Sequence, residues 1–353
     1  MTARPTLDEA HRAAGGLLGD RRGRAVVASY GDAAAEYAAL RSGAGLVDLA
    51  VREVLEASGP SRQKFLQGML SHDVLARKPG QGCRAALLSA KGAVQALVRV
   101  LVDEQVVFLE TDFDRVRSLQ GTLEHHRVAA PVRFAHRPTA ALALLGPAAL
   151  DVLRAAGVAE LPAEAEGHAA AAIAGAPVRL VRAGDLPAGG FVLHVAGESA
   201  AGVWEALRAA GACPVGLDAL DTLRIEAMRP WWGSEVTEEN LLHETGLVGE
   251  CHSPTKGCYV GQEVVARLEA RGGHVNKALR GLRLAAPVGA SAPVTVNGHE
   301  VGRVTTAARS PRLGPIALAY VHRNHFAAGT AVRAGEVAAT VVTAFDDEAA
   351  PAA

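Results

Sequence analysis

The residues best placed to do chemistry lie in one run, Lys256-Gly-Cys-Tyr-Val-Gly-Gln-Glu263. A cysteine reacts as its thiolate, and a nearby cation or a helix N-terminus favours that form. Lys256 stands two residues before Cys258, and the pattern predicts a helix from Gly261–Gln262. Val264, Val265 and Leu268 would form its apolar stripe. Glu263 and Arg267 would pair one turn apart, with Gln262 and Glu269 outside. The alternative for Cys258 is a small buried hydrophobe. The Gly257-x-x-x-Gly261 spacing allows close backbone approach, but it lacks the Gly-Lys-Ser/Thr ending of a phosphate-binding loop.

A second group, Arg224 and Glu226, falls near the end of a predicted helix over 216–227 whose apolar positions are Leu217, Leu220, Leu223 and Ile225. Arg229-Pro230-Trp231-Trp232-Gly233 must break that helix. A carboxylate can accept two parallel N–H bonds from a planar, amidine-like edge. Trp231 and Trp232 would offer an apolar wall for such a ring. The alternative is an ion pair from Glu226 to Arg224 or Arg229 above a tryptophan core. His243, His252 and His274 lack zinc-protease spacing and read as surface or structural residues. Lys91 and Arg99 are assigned to a solvated hairpin.

The elements that must position these groups follow from patterning. The chain has 353 residues, 49% of them hydrophobic, more than one core usually organises. The formal net charge of −1 argues against binding nucleic acid through phosphates. The four cysteines, Cys83, Cys213, Cys251 and Cys258, form neither a disulfide framework nor a zinc pattern, so no metal site is expected. No apolar run spans a membrane, and the first residues lack a signal-peptide core, so a cytoplasmic protein is expected. Asp32 is predicted to cap a helix over 33–42, and Ser61 one that carries Phe65, Leu66, Met69 and Leu70. Gly45–Asp48 reads as a turn into extended chain, and Gly19–Gly23 as a loop. Two strands run into Gly-Pro and then an apolar helix, at Gly59-Pro60 and Gly146-Pro147, which suggests a duplicated α+β unit. From Lys277 the texture changes to six short strands, with Asn297-Gly298 as a hairpin turn, as in a small antiparallel barrel or sandwich. Domains are expected at 1–137, 138–275 and 276–344, with an acidic, disordered tail at 345–353.

The run Lys256–Glu263 resembles the signature of the YgfZ family, folate-binding proteins that support iron–sulfur enzymes. The segment from Gly216 to Ala227 is similar to one shared with the glycine-cleavage T-protein, an aminomethyltransferase. Gly45–Asp48, Gly59-Pro60 with Phe65-Leu66, Gly146-Pro147, Gly302–Thr305 and Ile316–Tyr320 agree with it. The resemblance implies an α+β fold: two related units form a folate-binding body around a central channel, plus a small C-terminal antiparallel β-barrel. Tetrahydrofolate would lie in the channel, with Glu226 gripping the pterin and Arg224, Trp232, Tyr259 and Gln262 contributing to the site. Cys258 would be the functional thiol, kept partly ionised by Lys256.

The strand end Leu109-Glu110-Thr111-Asp112 lacks the Asn-Ala run of T-proteins, and T-proteins lack the Lys-Gly-Cys signature. The resemblance therefore sets first a folate-dependent accessory to iron–sulfur cluster assembly or repair. This would be a monomer serving iron–sulfur client proteins and, through them, tRNA-modifying radical enzymes. The alternatives are an aminomethyltransferase and a non-catalytic folate-binding module docked on a client enzyme.

Overall fold

Two glycines in the same left-handed conformation shape the first half of the chain. Gly59 and Gly146 both have φ +105°. Each ends a strand, Arg52–Ser58 or Thr139–Leu145, and is followed by proline and a helix, Arg62–Met69 or Ala149–Ala155. A Cβ at Gly59 would lie 2.3 Å from the Pro131 carbonyl oxygen, and one at Gly146 2.5 Å from that of Gly43. Only glycine fits either corner.

The computed structural model describes residues 7–345. They divide into two compact units, one from residues 7–88, 95–220 and 250–260, the other from 89–94, 221–249 and 261–345.

The first unit holds two sheets. Five strands run in the order Gly82–Leu88, Val94–Val102, Val106–Asp112, Arg52–Ser58, Arg133–Arg137. Their inward residues, among them Leu55, Val100 and Leu109, bury Leu66 of one helix and Leu119 and Leu123 of another, Val116–Arg127. The second sheet orders His168–Ile173, Ala176–Arg182, Gly190–Ala196, Thr139–Leu145, Gly45–Asp48 and Cys213–Pro214. Leu142, Leu144 and Leu193 pack there against Leu153, Trp204 and Leu207. Each such side chain contributes roughly 1.5–3 kcal/mol relative to exposure.

The first four strands of each sheet correspond. In both, the strand before Gly-Pro pairs antiparallel with the last of the three strands that follow its helix. The fifth strand is exchanged. Arg133–Arg137, which leads into the second repeat, pairs with Arg52–Ser58 of the first, and Gly45–Asp48, which leads into the first, pairs with Thr139–Leu145 of the second. Gly45–Asp48 is thus a fully buried strand rather than a turn. Four residues are too few for a strand pattern to stand out.

Other differences have local causes. Leu17–Arg21 and Arg24–Ser29 form a hairpin where a loop was expected, because Arg22 and Gly23 both adopt positive φ, as a two-residue hairpin turn requires. Asp32 caps its helix through the Ala35 N–H at 2.9 Å, whereas Ser61 makes no side-chain cap bond. The strand His168–Ile173 was unread because its alanine run shows no alternation.

The second unit closes into a six-stranded antiparallel barrel. Pro293–Val296 and His299–Ser310 are joined by Asn297-Gly298, with φ 50° and 80°. Leu282, Val294, Val304, Ala319 and Val341 fill its interior. Phe345, assigned to the tail, instead packs buried against Leu279, Ile316 and Leu318; the rest of that tail lies outside the described residues. Among the described residues no helix is long and apolar enough to cross a membrane.

Candidate functional site

In the first unit, Cys258 is exposed, whereas Cys83 and Cys251 are buried. Burial pushes the Cys83 thiol up to about 12 and the Cys251 thiol up to about 11, which leaves both inert at neutral pH. The expected helix forms at Gln262–Ala270, opened by Gly261 at φ 83°, with Glu263 and Arg267 paired at 2.5 Å. Lys256 departs from expectation. Its ammonium is buried and donates to the backbone carbonyls of Gln67 at 2.5 Å, His72 at 3.2 Å and Leu70. It also sits 4.7 Å from the ring centroid of buried Tyr259. Lys256 thus ties the signature loop to residues 67–72, which is a structural task. Burial lowers it to about 8, with Asp73 opposing.

The second unit holds Arg224, Glu226, Trp232 and Gln262. The helix Leu217–Glu226 ends as expected at the tryptophans. Glu226 is buried, accepts a hydrogen bond from the Ser310 hydroxyl, and lies 3.6 Å from the Arg312 guanidinium. Arg224 is fully buried, donating to Asp221 at 2.6 Å and Glu235 at 2.8 Å, with its guanidinium 5.3 Å from the Trp231 ring centroid. Burial works against the guanidinium charge, but these two carboxylates raise its affinity for the proton above the ordinary value. Arg224 is therefore a brace. Trp232 is buried and bridges to Val236. Gln262, the first residue of its helix, is half-buried.

Sequence reasoning missed Glu235, the hub of this region. It is wholly buried and accepts from Arg224, from the Trp231 N–H at 2.9 Å, and from the hydroxyls of Thr305 at 3.0 Å and Thr306 at 2.6 Å. Nothing local marks it as a hub, because the two threonines that complete its bonding lie about seventy positions away. Beside it a cavity of about 890 Å³ is lined by Glu235, Asn240, Lys277, Arg303, Tyr320 and His322. Among the described residues neither Glu226 nor Trp232 contributes to its wall.

Arg99 was assigned to solvent, and this is corrected. It is buried in the first unit and gathers three acids: Glu110 at 2.7 Å, Glu166 at 2.6 Å, and Asp185. His194 Nε2 lies 2.6 Å from the other Glu110 oxygen. Burial alone would raise Glu110 and Asp185, but Arg99 overrides it and holds both below the usual carboxylate range. Alternation along Val94–Val102 gave no warning, since the strand is buried on both faces.

Residues 7–252 match the GCVT N-terminal domain, and residues 277–345 match the glycine cleavage T-protein C-terminal barrel domain. The chain belongs to the glycine-cleavage T-protein family. Among T-protein relatives, an aminomethyltransferase of Streptomyces coelicolor is 30% identical over 341 residues, covering 93% of this chain and 91% of that one. One of Rubrobacter xylanophilus is 32% identical over 329 residues, covering 90% and 87%. The crystal structure of glycine cleavage system aminomethyltransferase T from Bartonella henselae superposes with a TM-score of 0.87 over 97% of both chains at 24% identity, which establishes the T-protein fold. Proteins of the T-protein family bind tetrahydrofolate.

These findings overturn the expectation of a YgfZ-type accessory to iron–sulfur cluster assembly. The relatives that span nine-tenths of the chain are aminomethyltransferases, and nothing in the comparisons supports iron–sulfur clients or a role in tRNA modification. The eight-residue signature misled because it weighs a short loop against an entire fold.

Proposed function

We propose that this chain is a cytoplasmic, tetrahydrofolate-dependent aminomethyltransferase of the glycine-cleavage T-protein type. The observation that carries the reading is the 30–32% identity to aminomethyltransferases across at least 90% of the chain. Tetrahydrofolate would supply the nitrogen that accepts the one-carbon unit. Glu226 is assigned to the pterin as a buried carboxylate, the group that pairs with an amidine-like donor edge, held in place by the Ser310 hydroxyl and Arg312. Arg224 and Glu235 hold the Trp231–Val236 turn against the barrel strand that carries Thr305 and Thr306, so the helix end bearing Glu226 has little freedom. Trp232 and Gln262 remain in the reading as positioning residues for the bound folate. Cys258, exposed on its loop, is assigned no step.

The test supplies the purified chain with an aminomethyl-lipoyl carrier protein and tetrahydrofolate, and measures methylenetetrahydrofolate and ammonia. Folate-dependent release of both is expected. Folate binding by calorimetry without turnover would sink the transferase reading and leave a binding module. Glu226→Gln is expected to weaken folate binding about tenfold or more with the melting temperature little changed; undiminished binding would remove Glu226 from the site.

A further inference from the structure

Ser310 and Arg312 approach Glu226 from one hairpin turn, between the barrel strands His299–Ser310 and Gly314–His322. They do different things there. The Ser310 oxygen accepts the backbone N–H of Arg312 at 3.0 Å and that of Leu313 at 2.9 Å. A hydroxyl has two lone pairs and one proton, so both lone pairs are engaged and the proton is directed at Glu226 Oε1. Ser310 therefore fixes one carboxylate oxygen and has nothing left for a ligand.

Arg312 stands at the other oxygen. Its guanidinium is 3.6 Å from Glu226 Oε2, too long for a hydrogen bond, so the attraction is between charges. The Glu226 side chain is 3% exposed and that of Arg312 29%, which makes the cation the open part of this corner. A flat ring that donates to Glu226 must lie with one flank against it. The pterin edge is asymmetric: its N3–H stands between the 2-amino group and the 4-oxo oxygen. Pairing N3–H with Oε2 brings the 4-oxo oxygen, an acceptor, to the guanidinium. The reversed ring brings the second 2-amino N–H, a donor, to a group that only donates. A ring oxygen held beside a carboxylate oxygen is also repelled by it, and a cation next to both offsets that repulsion.

We propose that Arg312 is a specificity-determining residue of the folate site, donating to the pterin 4-oxo oxygen and so setting which way round the ring lies on Glu226. The inference rests on the assignment of Glu226 to the pterin. It adds a selection for 4-oxo over 4-amino pteridines, because a 4-amino group turns N–H towards the same guanidinium.

The experiment measures binding of tetrahydrofolate and of its 4-amino counterpart, tetrahydroaminopterin, to the full chain by calorimetry. The readout is the ratio of the two dissociation constants within each protein, which cancels a general loosening of any variant. Arg312→Met is expected to shift that ratio about tenfold against tetrahydrofolate. Arg312→Lys, which keeps the charge, should retain part of the preference. Glu226→Gln should weaken both compounds, since both carry the 2-amino group. A ratio unchanged in Arg312→Met, with both compounds still weakened by Glu226→Gln, would overturn the role of Arg312 and leave the pterin assignment standing. Undiminished binding of both compounds by Glu226→Gln would remove the assignment and the inference with it.

Discussion

Arg99 and Lys256 show how one type of event, burying a cation, yields opposite outcomes. Arg99 is enclosed by Glu110, Glu166 and Asp185, so acids and base hold one another ionised. Because Glu110 and Asp185 lie below their unfolded values, their contribution is present above the carboxylate range and is lost as pH falls through it. Arg99→Met leaves buried carboxylates without their cation and should cost about 3–5 kcal/mol at pH 7. The variant's acids then titrate upward, so its deficit should shrink as pH falls from 7 towards 5. Urea unfolding across that range checks the sign. Lys256 hydrogen-bonds to backbone carbonyls and has no paired carboxylate among the described residues, and burial lowers it from 10.5 to about 8. Between those values the unfolded chain binds more protons, so stability rises with pH. Wild type should gain on Lys256→Met from pH 8 to 10.5. At pH 7 the variant should lose about 1–3 kcal/mol as three carbonyls lose their donor. Neither setting was legible in the sequence, where Arg99 read as solvated and Lys256 as the partner of Cys258. Their partners are supplied by strands and loops tens to hundreds of positions away.

The elements were more legible than the site, because periodicity and turn chemistry are local. The six short strands from Lys277 onward and the Asn297-Gly298 turn fall where the pattern placed them. The Gly-Pro corners were visible as a repeated phrase, and the structure supplies their cause in backbone geometry. That cause is separable by mutation. Gly157, at φ +90°, has open space where a Cβ would lie, whereas Gly146 has the Gly43 carbonyl oxygen at 2.5 Å. Gly157→Ala should cost about 1–2 kcal/mol from left-handed strain alone, and Gly146→Ala distinctly more. Equal shifts in thermal midpoint would show that the close approach relaxes freely. Glu226 was singled out in the sequence by its neighbours, Arg224 and two tryptophans, and its assignment to folate came from the family resemblance. Ser310 and Arg312, which hold it, sit at the far end of a barrel strand and carry no signal of their own.

At the scale of the molecule, the exchanged fifth strands decide what folds. Cutting the chain between Ala130 and Pro131 separates the two repeats and strips each sheet of its borrowed strand. Fragments 1–130 and 131–353 are expected to be poorly structured alone and to regain strand content by circular dichroism when mixed. Two independently folded fragments would show that the exchange is dispensable. Reading the sequence as consecutive domains could not reveal this, since a strand's partner is chosen by edge and register rather than by order along the chain.

The reciprocity of that exchange also bears on ancestry. Each repeat gives its leading strand to the other and receives the equivalent one in return, as two identical protomers would across a two-fold axis. A single ancestral repeat would have met this need as a domain-swapped homodimer. Fusion of two copies would keep the swap while freeing the halves to diverge, so that Glu110 and His194, one from each half, could become partners that no symmetric dimer requires.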